Sequence, residues 1–287
     1  MTPPVVQVGP ISIGAFALII LLALIVGALL AVVRLRQSDQ PLLPILDLLL
    51  LGPILAIVLG RLFYIWNPPP SAADLFSRSW YLSNLLDLQA GPLAVWTGGL
   101  GSAGLLLGAL SSLVLVMLLR VMDWRHWIDR IIPAFLLTCS IAALANLANR
   151  HLLGPPTTLP WGLTLANRPP AYADLLTFPP ETLFHPTPGY VALWMLFSLV
   201  VVLLIERFWA RPISPGRIGI LDLGLAATGW LVFDFLRIDL NTGLLGLTGL
   251  QWLSVVLLVS LVLLDRLTAA HRPDHSTERV ATDLREC

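Results

Sequence analysis

Lysine is absent: all seventeen cations in the 287 residues are arginine, balanced by seventeen Asp and Glu. Charged residues of both signs make up only 12% of the chain. With a net charge of zero and no basic face, nucleic-acid binding is disfavoured. Cysteine is nearly absent as well. Cys139 lies inside an apolar run and Cys287 is the last residue, so neither a disulfide framework nor a cysteine-based metal site is expected. What the chain has instead is apolar length. Its 57% hydrophobic content and mean hydropathy of +0.84 lie far from those of soluble globules and indicate a membrane protein.

The start lacks a basic segment, and the apolar run from about Ile11 to Val33 is longer than a signal-peptide core, so it reads as a retained first span. Seven segments, near 11–33, 43–66, 91–119, 131–149, 188–208, 218–237 and 243–264, approach or exceed the roughly 20 apolar residues that cross a ~30 Å hydrocarbon core. The expected fold is therefore an all-α membrane protein of seven transmembrane helices. Unbroken runs of this length exclude a barrel. The third segment is interrupted by Gly98, Gly99, Gly101 and Gly104. No internal repeat is visible, which weakens an inverted-repeat transporter reading.

Arginine placement tests this count, because positive charge concentrates in cytoplasmic loops. Arg34, Arg36, Arg120, Arg125, Arg130, Arg207, Arg211, Arg217, Arg266, Arg272, Arg279 and Arg285 all fall on one side. Only Arg78, Arg150, Arg168 and Arg237 fall on the other. This bias places the N-terminus outside and the C-terminus in the cytoplasm. Two outer loops, 67–90 and 150–187, are long enough to form a cap, and 269–287 reads as a polar, disordered cytoplasmic tail.

Ionisable groups at membrane depth are costly and tend to mark sites. Asp47 and Arg61 share the second span but stand about 21 Å apart along its axis, too far to pair. Asn146 and Asn149 lie three apart near the outer end of span four, with Arg150 and His151 just beyond. Asp234 and Arg237, also three apart, can pair near the outer end of span six. Bland roles compete with functional ones: arginines that snorkel toward headgroups, asparagines as interhelical glue, and His185 as a loop-ordering residue. The Gly98, Gly99 and Gly104 segment either permits close helix approach or exposes amides that hold an anion. Arginines, amides and a glycine break near one leaflet suit an anionic phospholipid.

The order of these features resembles the prolipoprotein diacylglyceryl transferase family. Leu59-Gly60-Arg61-Leu62-Phe63-Tyr64 is similar to its Gly-Ala-Arg-Leu-x-Tyr stretch, and Val95-Trp96-Thr97-Gly98-Gly99-Leu100 to its Ile-Trp-x-Gly-Gly segment. Asp129 and Pro133 precede Asn146, Asn149 and Gly154, which stand at the spacing of its signature Gly-Arg-x-Gly-Asn-Phe-x-Asn-Gly-Glu-x-x-Gly. Thr157 to Gly162 resembles its Thr-x-x-Pro-Trp-Gly. His185-Pro186-Thr187-Pro188-Gly189-Tyr190 resembles its His-Pro-Thr-x-x-Tyr-Glu, and Gly246 to Ser254 its last-span motif.

The resemblance implies transfer of a diacylglyceryl group from phosphatidylglycerol to the signal-peptide cysteine thiol of a prolipoprotein. The setting is the outer leaflet of a bacterial plasma membrane, with no cofactor and no metal. Such a step needs donors on the departing phosphate and a base for the thiol.

The chain departs from the pattern where Ala142-Ala143 replace Gly-Arg, His151 replaces Glu, Gly14 and Ala103 replace the expected Tyr and His/Tyr, and Trp230 replaces an arginine. Asp234 stands for that last motif's Glu. Arg61, Arg150 and Arg237, with Gly98, Gly99, Gly104, Asn146, Asn149 and Gly154, are then the expected lipid and phosphate site. His151, His185 and Asp234 are the expected catalytic groups. Two rival readings fit the same residues: a catalytically degenerate relative that binds anionic phospholipid or lipoprotein precursor or scaffolds another membrane enzyme, and a related transferase using another lipid donor.

Overall fold

The structure, a computed structural model, describes residues 6–8, 11–68, 76–95, 98–120, 122–150, 152–164, 178–179, 181–209, 213–238 and 242–270. Within them the chain order is β1 (Val6–Val8), β2 (Ile11–Ile13), α1 (Ala15–Arg36), α2 (Leu43–Trp66), α3 (Arg78–Ser83), α4 (Ser102–Leu119), α5 (Trp124–Ala148), β3 (Leu163–Thr164), β4 (Leu183–Phe184), α6 (Thr187–Phe208), α7 (Arg217–Asp234), a 3-10 turn (Leu244–Gly246) and α8 (Gly249–Ala270). Six helices, α1, α2, α4, α5, α6 and α8, are long and apolar enough to cross a bilayer. The chain is a mainly helical membrane protein. Helix α7 is also 18 residues long, but it carries Arg217, Asp222 and Asp234 and is not among the six.

Two boundaries differ from the sequence expectation. Ile11–Ile13 does not open the first span; it pairs antiparallel with Val6–Val8, as the β-branched residues at Val6, Val8, Ile11 and Ile13 favour. Helix α1 begins only after Gly14, which is extended at φ −79°, ψ 161°. The third span also starts late. Residues 98–101 are non-helical, and Gly98 and Gly99 both adopt positive φ, 91° and 72°, where a glycine is tolerated at no steric cost.

Helix ends follow local chemistry. Ser77 caps α3 by accepting from the Trp80 amide at 3.2 Å, and Asp123 caps α5 by accepting from the Arg125 amide at 3.2 Å. Helix α6 starts with Pro188 in its first turn, where a missing N–H is harmless. The amides of Gly216 and Gly219 at the start of α7 both donate to the Asp129 carboxylate of α5 at 2.7 Å, satisfying donors that a helix N-terminus leaves open.

Helix α2 packs along α4, and α1 along α5; α5, α6 and α7 pack on one another, and α8 lies against α7. Glycines set the α2–α4 distance: a Cβ on Gly104 would lie 2.2 Å from the Leu59 carbonyl oxygen, and one on Gly108 2.4 Å from that of Leu55. The largest apolar cluster gathers Leu35, Ile45, Val116, Trp127, Ile132, Leu223 and Leu261, drawn from six helices. It joins the bundle toward the end where α1 and α6 finish. Asp47 and Asp129 lie at that end too, whereas Arg61, Gly98, Gly99, Asn149, Arg150, Gly154, His185 and Arg237 lie toward the opposite one.

Candidate functional site

Arg61, near the end of α2, is 5% exposed. Its Nε donates to the Pro92 carbonyl at 3.0 Å, Nη1 to Gly98 at 2.7 Å and Gly99 at 3.2 Å, and Nη2 to Gly91 at 2.8 Å. The Tyr64 and Tyr81 rings flank it at 5.8 and 5.4 Å. Four of five guanidinium N–H groups are thereby committed to carbonyls. The two positive-φ glycines turn their carbonyls onto Arg61. The chain thus folds around a buried cation that has no acidic partner among the described residues.

A second group forms where three segments cross at Gly154. Its amide donates to the His185 carbonyl at 2.8 Å, and the Ile238 amide donates to Leu153 at 3.3 Å. A Cβ on Gly154 would meet the Leu236 carbonyl oxygen and Thr187 Oγ1 at 2.8 Å and the His185 Cβ at 2.9 Å. Only glycine fits this crossing. It draws the start of α6 and the end of α7 to one place, bringing together Gly154, His185, Asp234 and Arg237. Asp234 is 3% exposed and both its oxygens are engaged: Oδ1 accepts from Arg237 Nη1 at 2.7 Å, and Oδ2 accepts from the Thr248 hydroxyl. The expected Asp234–Arg237 pair is present, although α7 ends at Asp234 and Arg237 stands beyond it.

His185 is half-buried, with Nδ1 2.9 Å from the Tyr190 hydroxyl, which accepts in turn from Trp161 Nε1 at 3.0 Å. This chain borders an apolar cavity of about 700 Å³ between α5 and α6, lined by Leu144, Leu147, Arg150, Trp161, Tyr190 and Leu193 among others. Arg150 does not continue the face of α5. The helix stops at Ala148, Arg150 turns at φ 52°, and its Nη1 donates to the Thr164 carbonyl at 2.7 Å and hydroxyl at 3.0 Å. Asn146 is half-buried on the last turn of α5, and Asn149 caps that helix with its amide on the Ala145 carbonyl at 3.1 Å. His151 lies outside the described residues.

The two groups are joined through α8. Thr248 holds Asp234, and the next residue, Gly249, takes the Phe63 ring of α2 where a Cβ would lie 2.1 Å from Cζ. Phe63 also fills the space beside Gly101 and Gly104. Arg61 with Gly98, Gly99 and Gly104 thus faces one side of the α8 start, and Asp234 with Arg237 the other.

Sequence reasoning passed over Thr248, Gln251, Tyr190 and Trp161 as site residues. Thr248-x-x-Gln251 has the spacing of a capping box, a readable signal. The Trp161–Tyr190 contact joins residues 29 apart, and no local pattern predicts it.

A profile of the prolipoprotein diacylglyceryl transferase family matches residues 3–265. A phosphatidylglycerol–prolipoprotein diacylglyceryl transferase of Chloroflexus aggregans is 32% identical over 217 residues, which cover 72% of this chain and 65% of that protein. The protein of that name from a Nostoc species is 31% identical over 275 residues, 88% of this chain and 89% of the relative. That of Paenarthrobacter aurescens is 28% identical over 264 residues, covering 90% and 79%. With the profile spanning nearly the whole sequence and the family's glycine, histidine and last-span segments meeting at one end of the bundle, this chain belongs to the prolipoprotein diacylglyceryl transferase family.

Proposed function

We propose that this protein carries out the transfer its relatives are named for, moving the diacylglyceryl group of phosphatidylglycerol onto the cysteine thiol of a prolipoprotein signal peptide. It does so as a seven-span protein of the bacterial plasma membrane. Helix α7 crosses as the sixth span, shielded by α5, α6 and α8; the N-terminus is outside and the C-terminus cytoplasmic. The arginine bias supports this direction, which puts the Gly154 crossing at the outer leaflet; the cap expected from 67–90 and 150–187 lies in part outside the described residues.

In the reaction the thiol sulfur forms a bond to the glyceryl carbon that carries the phosphate, that carbon–oxygen bond breaks, and glycerol phosphate leaves as an anion. The thiol proton passes to a base. His185 fills that role among the described residues, with Nδ1 fixed by Tyr190 and Nε2 left to face the thiol; His151 is the alternative base. Arg150 and Arg237 hold the phosphate, assisted by Asn146 and Asn149. Arg61 acts at longer range: with four N–H groups committed, it orders Gly98 and Gly99 and contributes an unneutralised charge to the site. Asp234, saturated by Arg237 and Thr248, positions rather than accepts the proton. The observation that carries this reading is the meeting of Gly154, His185, Asp234 and Arg237 at one crossing.

A second reading draws on a specific feature. Where the family pattern carries arginines, Ala143 is buried, and Trp230 packs edge-on to Phe135 with ring centres 6.2 Å apart. Apolar packing there favours lipid binding without transfer. Expression in cells depleted of their own transferase decides: restored lipoprotein modification supports the enzyme, phosphatidylglycerol binding without restoration supports the second reading, and turnover of a different lipid points to another donor.

A further inference from the structure

The start of α8 carries a reciprocal capping box. The Thr248 amide donates to Gln251 Oε1 at 2.8 Å, and the Gln251 amide donates to Thr248 Oγ1 at 3.1 Å. This arrangement satisfies two open donors at once, and it does more here. Because Thr248 Oγ1 already accepts from Gln251, its own hydrogen is directed to Asp234 Oδ2. The Gln251 amide group cannot invert, since its nitrogen would then face the Thr248 N–H. Its Nε2 is buried with no partner among the described residues. Asp234 is 3% exposed, Thr248 6% and Gln251 1%. Asp234 thus accepts from both Arg237 and Thr248 beside the first turn of α8.

We infer that Thr248, oriented by Gln251, is a positioning residue that acts through Asp234 to aim the Arg237 guanidinium at the lipid phosphate. The inference rests on the reading of Arg237 as a phosphate-holding group. Arg237 lies past the last residue of α7 and is anchored to that helix by its 2.7 Å bond to Asp234. Removing the Thr248 hydroxyl leaves Asp234 Oδ2 buried without its donor, and the carboxylate then turns with the arginine it holds.

The test is a double-mutant cycle on phosphatidylglycerol affinity, measured for the full chain in nanodiscs. Thr248→Val keeps the shape and removes the hydroxyl; affinity is expected to fall roughly tenfold, the size of one hydrogen bond to a charged group. Thr248→Ser is expected to stay within about twofold of the parent, since it keeps the donor. In an Arg237→Ala background, Thr248→Val is expected to cost nothing further, because both changes remove one shared interaction. A purely structural role for Thr248 gives additive losses and overturns the inference, as does a Thr248→Val protein that binds as well as the parent. A silent Arg237→Ala overturns it too, but by showing that the phosphate-holding reading itself is at fault. If Thr248→Val does not fold, Asp234→Asn runs the same cycle with the same expectations.

Discussion

The two ends of the helical bundle handle arginine in opposite ways. Where α1 and α6 finish, Arg34 makes a two-pronged pair with Glu206 at 2.8 and 3.0 Å and donates its remaining groups to the carbonyls of Asp129 and Arg130, both at 3.0 Å. Arg120 pairs with Asp47 at 2.8 Å and Arg217 with Asp265 at 3.1 Å. At the other end, among the described residues, Arg61 meets carbonyls and aromatic faces, and Arg150 meets Thr164. Arg237 pairs with Asp234, which also accepts from Thr248. At the first end Arg34, Arg120, Arg130 and Arg217 meet carboxylates, whereas Arg61 and Arg150 at the second meet neutral acceptors, a contrast that supports the proposal of an anion site there. Buried charge that a protein does not neutralise points to function more strongly than buried charge that it does.

The largest effect expected from this contrast is on stability, at the neutralised end. Arg34→Ala strips the half-buried Glu206 of its nearest partner, leaving it only Arg130 at 3.6 Å, and should cost about 3 kcal/mol in unfolding free energy, with phosphatidylglycerol affinity of the folded protein unchanged. A loss of lipid affinity there would erase the distinction between the ends. Gly154→Ala comes next. Its added Cβ overlaps three segments at 2.8–2.9 Å, so it should destabilise by about 1–3 kcal/mol and abolish transfer by spreading His185 from Arg237; normal turnover would show that the crossing does not organise the site. Arg150→Ala should weaken phosphatidylglycerol binding roughly tenfold without moving the unfolding midpoint, the reverse of Arg34→Ala. The smallest effect belongs to Arg120→Ala. Its pair with Asp47 is exposed, and such pairs contribute little, so neither midpoint nor affinity should change measurably.

The membrane class, most of the span positions and the Asp234–Arg237 pair are legible in the sequence, because apolar length and i,i+3 spacing are local signals. Asp234 and Arg237 were found this way. Other features depend on contacts between distant segments. Arg61 reads as a phosphate ligand until its partners are seen to be Gly91, Pro92, Gly98 and Gly99, some 30 or more residues away. Asp222, buried in α7, lies near Arg34, Glu206 and Asp129, residues of three other helices that no local pattern brings together. Arg150 stands just beyond span four in the sequence, but its turn onto Thr164 depends on a contact 14 residues away. The hairpin at 6–13 was missed because its second strand adjoins an apolar run that otherwise reads as one helix. The tail beyond 270 lies outside the described residues.

The central claim is that Arg150 and Arg237, at the Gly154 end, hold an anionic headgroup. Native mass spectrometry after equilibration in nanodiscs with equal phosphatidylglycerol and phosphatidylethanolamine tests it most directly. The parent protein and an Arg217→Ala control, altered at the neutralised end, should both retain phosphatidylglycerol selectively, whereas an Arg150→Ala/Arg237→Ala protein should lose that preference. No preference in the parent, or equal loss in the control, would contradict the account.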